Sequence, residues 1–201
     1  RNHKGVRVLN AADVHVYHNT FIDNPASFER NERSATGDHF GWHASTGPDV
    51  DERDGHVFVN NLLVSSGDYA RPLLQFEQPA SLCKTLAEPM TDRIDGNVYV
   101  RPVASGAQST APLITFSPDR SESCSRSFAT LDAFRDYRSE VEANGAQLDR
   151  TPRSVLSSPE LGRYEALPAV PDRSAESVPD EVREVMGWRE DSARPAGAYA
   201  R

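Results

Sequence analysis

Val16-Tyr17-His18-Asn19-Thr20-Phe21-Ile22, Phe58-Val59-Asn60-Asn61-Leu62-Leu63-Val64 and Ile94-Asp95-Gly96-Asn97-Val98-Tyr99-Val100 follow one pattern. In each, a strand-like run enters an asparagine and an apolar triplet leaves it. The asparagines stand 42 and 36 positions apart. Aligned on them, the triplets form the columns Thr20/Leu62/Val98, Phe21/Leu63/Tyr99 and Ile22/Val64/Val100. Recurrence of this kind marks a repeat architecture, in which each unit buries its apolar face against the next. An asparagine at a buried bend bonds the backbone and its counterparts above and below, so no polar group is left unpaired. The expected fold is therefore all-β, a right-handed parallel β-helix (a solenoid) whose coils take roughly 20–30 residues, with loops inserted at the corners.

An antiparallel β-sandwich has the same strand count but relies on two-residue Asn-Gly or Asp-Gly hairpins. Here Asp54-Gly55 and Asp95-Gly96 each precede only one clear strand at close range. The first coil reads Gly5-Val6-Arg7-Val8, a turn at Asn10 to Asp13, then Asp13 to Tyr17, the corner Asn19, and Thr20-Phe21-Ile22. Asp23-Asn24-Pro25 ends that run with breaker chemistry. Leu73-Leu74-Gln75-Phe76 and Leu113-Ile114-Thr115-Phe116 are later rungs.

From residue 127 the pattern changes. Thr130 is the expected N-cap of one short α-helix from Leu131 through Ala143, stopped by Asn144-Gly145 and capping the open end of the sheets. Beyond Arg150 an irregular C-terminal tail, with a brief helical turn at Pro179 to Met186, is expected to wrap outside the helix. The division is residues 1–126 as β-helix coils with inserted loops at 25–55 and 66–93, and 127–201 as helix and packed tail.

Composition narrows the function. The chain of 201 residues carries 22 Lys plus Arg against 30 Asp plus Glu, a net charge of −8. A domain that neutralises many phosphates carries a basic excess, so nucleic acid is disfavoured as a partner. No apolar run approaches the ~18 residues of a membrane span. Arg1-Asn2-His3-Lys4-Gly5 leads at once into the alternating Val6-Arg7-Val8, which predicts upstream β-helix coils covering the first rung. Cys83 and Cys124 match no zinc spacing. A disulfide and two separate thiols both remain open, and export would favour the disulfide.

Gly5 to Val8 followed by Asp13-Val14-His15-Val16-Tyr17-His18-Asn19-Thr20-Phe21 resembles the repeat of the pectate-lyase-like right-handed β-helix superfamily. Phe128 to Arg135 is similar to the short helix after the last coils of its bacterial members. Arg194-Pro195-Ala196-Gly197-Ala198-Tyr199 is similar to their frequent ending. The resemblance implies a secreted or periplasmic protein acting on a polysaccharide, as a lyase on uronic-acid-containing chains or as a glycoside hydrolase. A non-catalytic glycan-binding or adhesin β-helix is the other class.

The insertion from Pro25 to Gly55 concentrates ionisable and aromatic residues, and long loops on a rigid scaffold carry sites. For β-elimination, His43 or His39 is the candidate base and Arg33 or Arg30 the clamp on the uronate carboxylate. Trp42 and Asp38 are candidate substrate contacts, and Asp49, Asp51 and Asp54 candidate oxygen ligands for Ca²⁺. For hydrolysis, two of Asp38, Asp49, Asp51 and Asp54 would act across the glycosidic bond. A solvated loop whose charges pair locally is the structural alternative. Arg53 at the fifth place of Asp49 to Gly55 rejects an EF-hand. His15 and His18 are expected to point outward or to bond a corner. Lys4 and Lys84 are the only lysines, and Lys4 is the one to test if the reaction needs an amine base.

Overall fold

Short runs that alternate large apolar with polar residues dictate strands burying one face. In a computed structural model, which describes residues 4–32, 48–103, 111–171, 177–188 and 194–198, these runs are strands. The chain begins with β1 (Val6–Leu9), β2 (His15–Tyr17) and β3 (Thr20–Ile22). It repeats the series as β4 (Ala26–Glu29), β5 (His56–Val59) and β6 (Leu62–Val64), then as β7 (Leu74–Glu77), β8 (Thr91–Asp95) and β9 (Val98–Val100). Next come β10 (Ile114–Phe116), β11 (Arg126–Phe128), helix α1 (Leu131–Tyr137) and β12 (Ala146–Leu148).

Three sheets result. Sheet A has the order β1-β4-β7-β10-β11, sheet B β2-β5-β8, and sheet C β12-β9-β6-β3. Within them every neighbouring pair is parallel except β10 with β11. The chain thus visits A, B and C in that order three times. One core is shared by all three. It takes Val8, Phe28, Phe76 and Phe116 from sheet A, Val16, Phe58 and Ile94 from sheet B, and Phe21, Leu63 and Tyr99 from sheet C. Phe28 and Phe76 stack at 5.2 Å, Phe76 meets Phe116 at 5.4 Å, and Phe134 of α1 continues the column at 5.5 Å.

Sheet C is covered on its other face too, which is why Leu62-Leu63-Val64 and Val98-Tyr99-Val100 are buried without alternation. The cover is Val155, Leu156, Ala166, Val170 and Ala196 of the C-terminal region. That region is less irregular than its Pro-rich sequence predicts. It holds helix α2 (Pro152–Val155), the antiparallel pair β13 (Leu156–Ser158) and β14 (Arg163–Ala166), and helix α3 (Asp180–Met186). Among the described residues three helices therefore stand where one was expected, α3 at the helical turn foreseen over Pro179 to Met186 and α2 unforeseen. No helix among the described residues is long and apolar enough to cross a membrane.

The expected asparagine column is present and directional. Asn61 Oδ1 accepts from Asn19 N at 2.9 Å, and Asn97 Oδ1 accepts from Asn61 N at 2.8 Å and from Asn61 Nδ2 at 3.0 Å. The next acceptor is a carboxylate. Glu142, with no exposure, accepts from Asn97 N at 3.2 Å, Asn97 Nδ2 at 2.7 Å and Tyr99 OH at 2.6 Å.

Three sequence expectations are corrected. Residues 26–29, assigned to an inserted loop, are the central strand β4, since a β corner accommodates Asp23-Asn24-Pro25 and Phe28 points into the core. Strand β7 (Leu74–Glu77) is the rung expected at Leu73 to Phe76, so the stretch 66–93 is not one inserted loop. Helix α1 ends at Tyr137 rather than Ala143, because the chain turns so that Glu142 N reaches Ile94 O at 2.8 Å, with Glu142 at φ +53°. Asn144-Gly145 is then no helix stop. Asn144 bonds Asp95, and a Cβ on Gly145 would lie 2.2 Å from Glu142 Oε2.

Thr130 caps α1 as expected, accepting from Ala133 N at 3.2 Å. Thr130→Ala is expected to cost about 1 kcal/mol, read as a lower midpoint in denaturant at unchanged m. An unchanged midpoint would deny the cap.

Candidate functional site

The outward-facing residues of sheet A form two columns, polar but for Leu9. Arg7, Ser27, Gln75, Thr115 and Ser127 are register partners along one, and Leu9, Glu29 and Glu77 along the other. Adjacent parallel strands lie ~4.8 Å apart, so the columns present functional groups at a fixed, short repeat. Lys4, just before β1, extends over this face. Its Nζ donates to Glu29 Oε1, to Ser27 Oγ at 3.1 Å and to Glu77 Oε2 at 3.5 Å. Arg7 donates from Nη2 and Nε to Glu29 Oε2, at 2.7 and 3.0 Å. Glu29 is the hub, its side chain 12% exposed, whereas Arg7 is 52% and Glu77 42% exposed. Ser27 Oγ donates to Glu29 Oε1 at 2.7 Å, and Gln75 Nε2 to Glu77 Oε1 at 3.3 Å.

The face therefore carries an amine, a guanidinium, two carboxylates on neighbouring strands and an amide, all reachable from solvent. Such a set can neutralise a substrate carboxylate and move a proton beside it.

The insertion expected to hold the site leaves the scaffold at the end of β4, next to Glu29. Buried Arg53 closes its neck, donating from Nη1 to Asn31 O at 2.9 Å and from Nε to Pro48 O at 3.1 Å. Asn10 Oδ1 accepts from Asn31 N at 2.9 Å on the same corner. His43, His39, Arg33, Trp42 and Asp38 lie outside the described residues.

Arg30 is described, and it points inward. At 3% exposure it donates from Nε to Gln78 Oε1 at 2.5 Å and from Nη2 to Glu88 O at 2.7 Å and Leu86 O at 3.5 Å. Desolvation lowers its pKa, opposed by Asp54. Its donors are spent on a neighbouring loop, which leaves Arg7 as the accessible guanidinium of this face. Asp49 precedes the single turn Val50–Glu52, whose Glu52 Oε2 accepts from Asp49 N at 3.2 Å. Asp54 O accepts from Asp13 N at 2.9 Å. Among the described residues no group of three or more His, Cys, Asp or Glu side chains gathers to hold a metal ion.

Of the other described histidines, His56 and His18 serve the scaffold. His56 Nδ1 accepts from Val14 N at 3.2 Å, and burial lowers the ring's pKa. His18 sits at a corner, Nε2 at 3.1 Å from Asn60 Nδ2, with Trp188 edge-on at 4.8 Å, and burial lowers its pKa as well. His15 is exposed beside Tyr17. Cys83 and Cys124 form a disulfide with Cα atoms 5.9 Å apart.

Scarcity singles out Lys4 in the sequence, whereas Arg7, Glu29 and Glu77 carry no motif that marks them. The available signal was the polar half of each alternating strand: Arg7, Glu29 and Glu77 occupy outward positions of successive A strands. Comparison with protein-family models, with curated proteins and with solved structures finds no match for this chain.

Proposed function

We propose that the chain is a carbohydrate-active enzyme that cleaves a uronic-acid-containing polysaccharide by β-elimination on the outer face of sheet A. The scaffold in this reading is a right-handed parallel β-helix, of the pectate-lyase-like kind, with sheets A, B and C wound about one axis. Support for the winding is the thrice-repeated order of sheets and their common core. The observation that carries the function is the Lys4–Glu29–Arg7 network with Glu77 beside it, displayed across the parallel strands of sheet A.

Arg7 receives the uronate carboxylate and stabilises the charge that moves onto it when the α proton leaves. The Lys4–Glu29 pair takes that proton, and Glu29 also holds Lys4 and Arg7 in place. Glycosidic oxygen then departs from the β carbon, and a double bond forms in the sugar left behind. Secretion or transfer to a periplasm agrees with the Cys83–Cys124 bridge. The same reading places a further β-helix coil on the open edges of β1, β2 and β3. Asn19 accepts no bond through Oδ1 among the described residues, whereas Asn61 and Asn97 each accept from the asparagine before them.

Mixing the protein with pectate, alginate and glycosaminoglycans tests the proposal through the ultraviolet absorbance of unsaturated uronate ends. Activity is expected on at least one polymer, falling by about 100-fold or more in Lys4→Met. Full activity in that variant would remove Lys4 from the reaction. Glycoside hydrolysis has one observation of its own: Glu29 and Glu77 are register partners that both reach Lys4 Nζ, a pair of carboxylates close enough to share a bond. Reducing ends without absorbance would decide for it, and binding without either product would decide for a glycan-binding module.

A further inference from the structure

At the edge of sheet A opposite β1, three separate stretches, together with Arg126 of β11, line a cleft of about 590 Å³. One wall is the loop after β7, another the loop after β10, and the third the C-terminal end of α1. The Cys83–Cys124 bridge joins the first two walls. Arg30 fixes the first through the carbonyls of Leu86 and Glu88, helped by Gln78 Nε2 on Leu86 O at 3.0 Å. Tyr137 OH, donating to Asp119 Oδ1 at 2.8 Å, ties the second to the third. The cleft is therefore built in advance of any ligand, and its volume falls within the ~300–1,000 Å³ of small-molecule sites.

Its charged lining consists of Glu88, Asp119, Arg120, Arg126, Arg138 and Glu140, three of each sign on a chain of net −8. Most of these groups have tasks. Arg138 bonds Glu140 and lies 5.4 Å over the Phe116 ring. Asp119 also accepts from Ser121 N at 2.8 Å; hydrogen bonding from Ser121, more than the Tyr137 hydroxyl or nearby Arg126, keeps its carboxyl below the usual range. Arg126 differs. Its guanidinium lies 5.0 Å from the Tyr137 centroid and 5.5 Å from that of Phe128. Among the described residues its guanidinium makes no hydrogen bond or ion pair. A guanidinium stacked on aromatic faces keeps its N–H fork in a fixed direction and free to grip a planar anion with two bonds.

We propose that this cleft binds a sugar acid, with Arg126 holding the carboxylate and Asp119 and Glu140 accepting from the sugar hydroxyls. The three acids make a polyanionic stretch unfavourable here, so the ligand carries a single carboxylate among several hydroxyls. This binding does not depend on the reaction proposed for sheet A.

Calorimetric titration of the full chain with galacturonate, and with methyl galactoside as its uncharged counterpart, tests the inference. Galacturonate is expected to bind at least about tenfold more tightly than the galactoside, the value of one charge-assisted bidentate contact. Arg126→Gln should erase that difference at an unchanged melting temperature, because Arg126 is exposed. Arg126→Lys should keep part of it, and Lys4→Met all of it. Equal affinity for the two sugars, undiminished galacturonate binding in Arg126→Gln, or no binding of galacturonate at all would overturn the proposal.

Discussion

Asn61→Ala is expected to destabilise the protein by about 4 kcal/mol and to lower its melting temperature by roughly 10 °C. Asn61 is fully buried and makes contacts on both sides of its strand. Its Nδ2 donates to Val16 O at 3.0 Å, Val59 O at 3.1 Å and Asn97 Oδ1 at 3.0 Å, and its Oδ1 accepts from Asn19 N. Alanine removes all of these and supplies no substitute. Each buried group left unsatisfied costs ~1–3 kcal/mol, and too little space opens for water to replace a branched amide with several partners. Asn19→Ala should cost less than half as much, because Asn19 is exposed and donates its side chain only to Tyr17 O and Asn61 Oδ1 among the described residues. Equal losses at the two positions would mean that the column does not cooperate as described.

The second large effect is on pH dependence. Burial pushes the Glu142 carboxyl up to about 7 from an ordinary 4.5, against the pull of the hydrogen bonds donated by Tyr99 and Asn97, with Asp95 adding to the rise. An acid whose pKa is higher folded than unfolded binds its proton more tightly in the native state. Its stabilising contribution is complete below about pH 4.5 and is lost as pH climbs through about 7. At ~1.4 kcal/mol per pKa unit the loss amounts to about 3 kcal/mol. His18 and His56 act oppositely: burial lowers both, so what they contribute is present above the free-histidine pKa and lost as pH falls. Asp119 and Glu140, both lowered, lose their contribution below the Glu142 window. Subtraction isolates the glutamate. Unfolding of the wild type and of Glu142→Gln across pH 4 to 8 should give a difference that shrinks as pH rises through the window. Parallel curves would show that Glu142 does not titrate there.

Much of the scaffold is legible from residues because burial leaves few alternatives. A bend that must satisfy its neighbours' backbone groups needs an amide, so asparagine recurs and the repeat shows. The triplets leaving it are apolar throughout because sheet C is covered on both faces. Where a strand had only one large inward side chain, the signal failed: Ala26-Ser27-Phe28-Glu29 after a proline reads as a loop, yet Phe28 is central to the aromatic column. Glu142 was hidden for another reason. It follows Asn97 by 45 positions, much as Asn61 follows Asn19 by 42, but a carboxylate in place of the amide breaks the asparagine pattern.

The site was less legible. A dense charged insertion drew attention to residues 25–55, whereas the accessible network on sheet A comes from single polar residues spread over three strands and the segment before them. Arg7, Glu29 and Glu77 are separated in sequence and meet only because parallel strands bring register partners together. Arg30 illustrates the converse, a charged residue in the expected loop whose guanidinium turns inward to hold a wall.

Residue-resolved hydrogen exchange probes the asparagine column most directly, since the backbone amides of Asn61 and Asn97 have side-chain acceptors rather than sheet partners. If the column is continuous to Glu142, both amides exchange as slowly as those of Leu63 and Tyr99 in the covered sheet, through global unfolding alone. Exchange of either at the rate of exposed loop amides would contradict it.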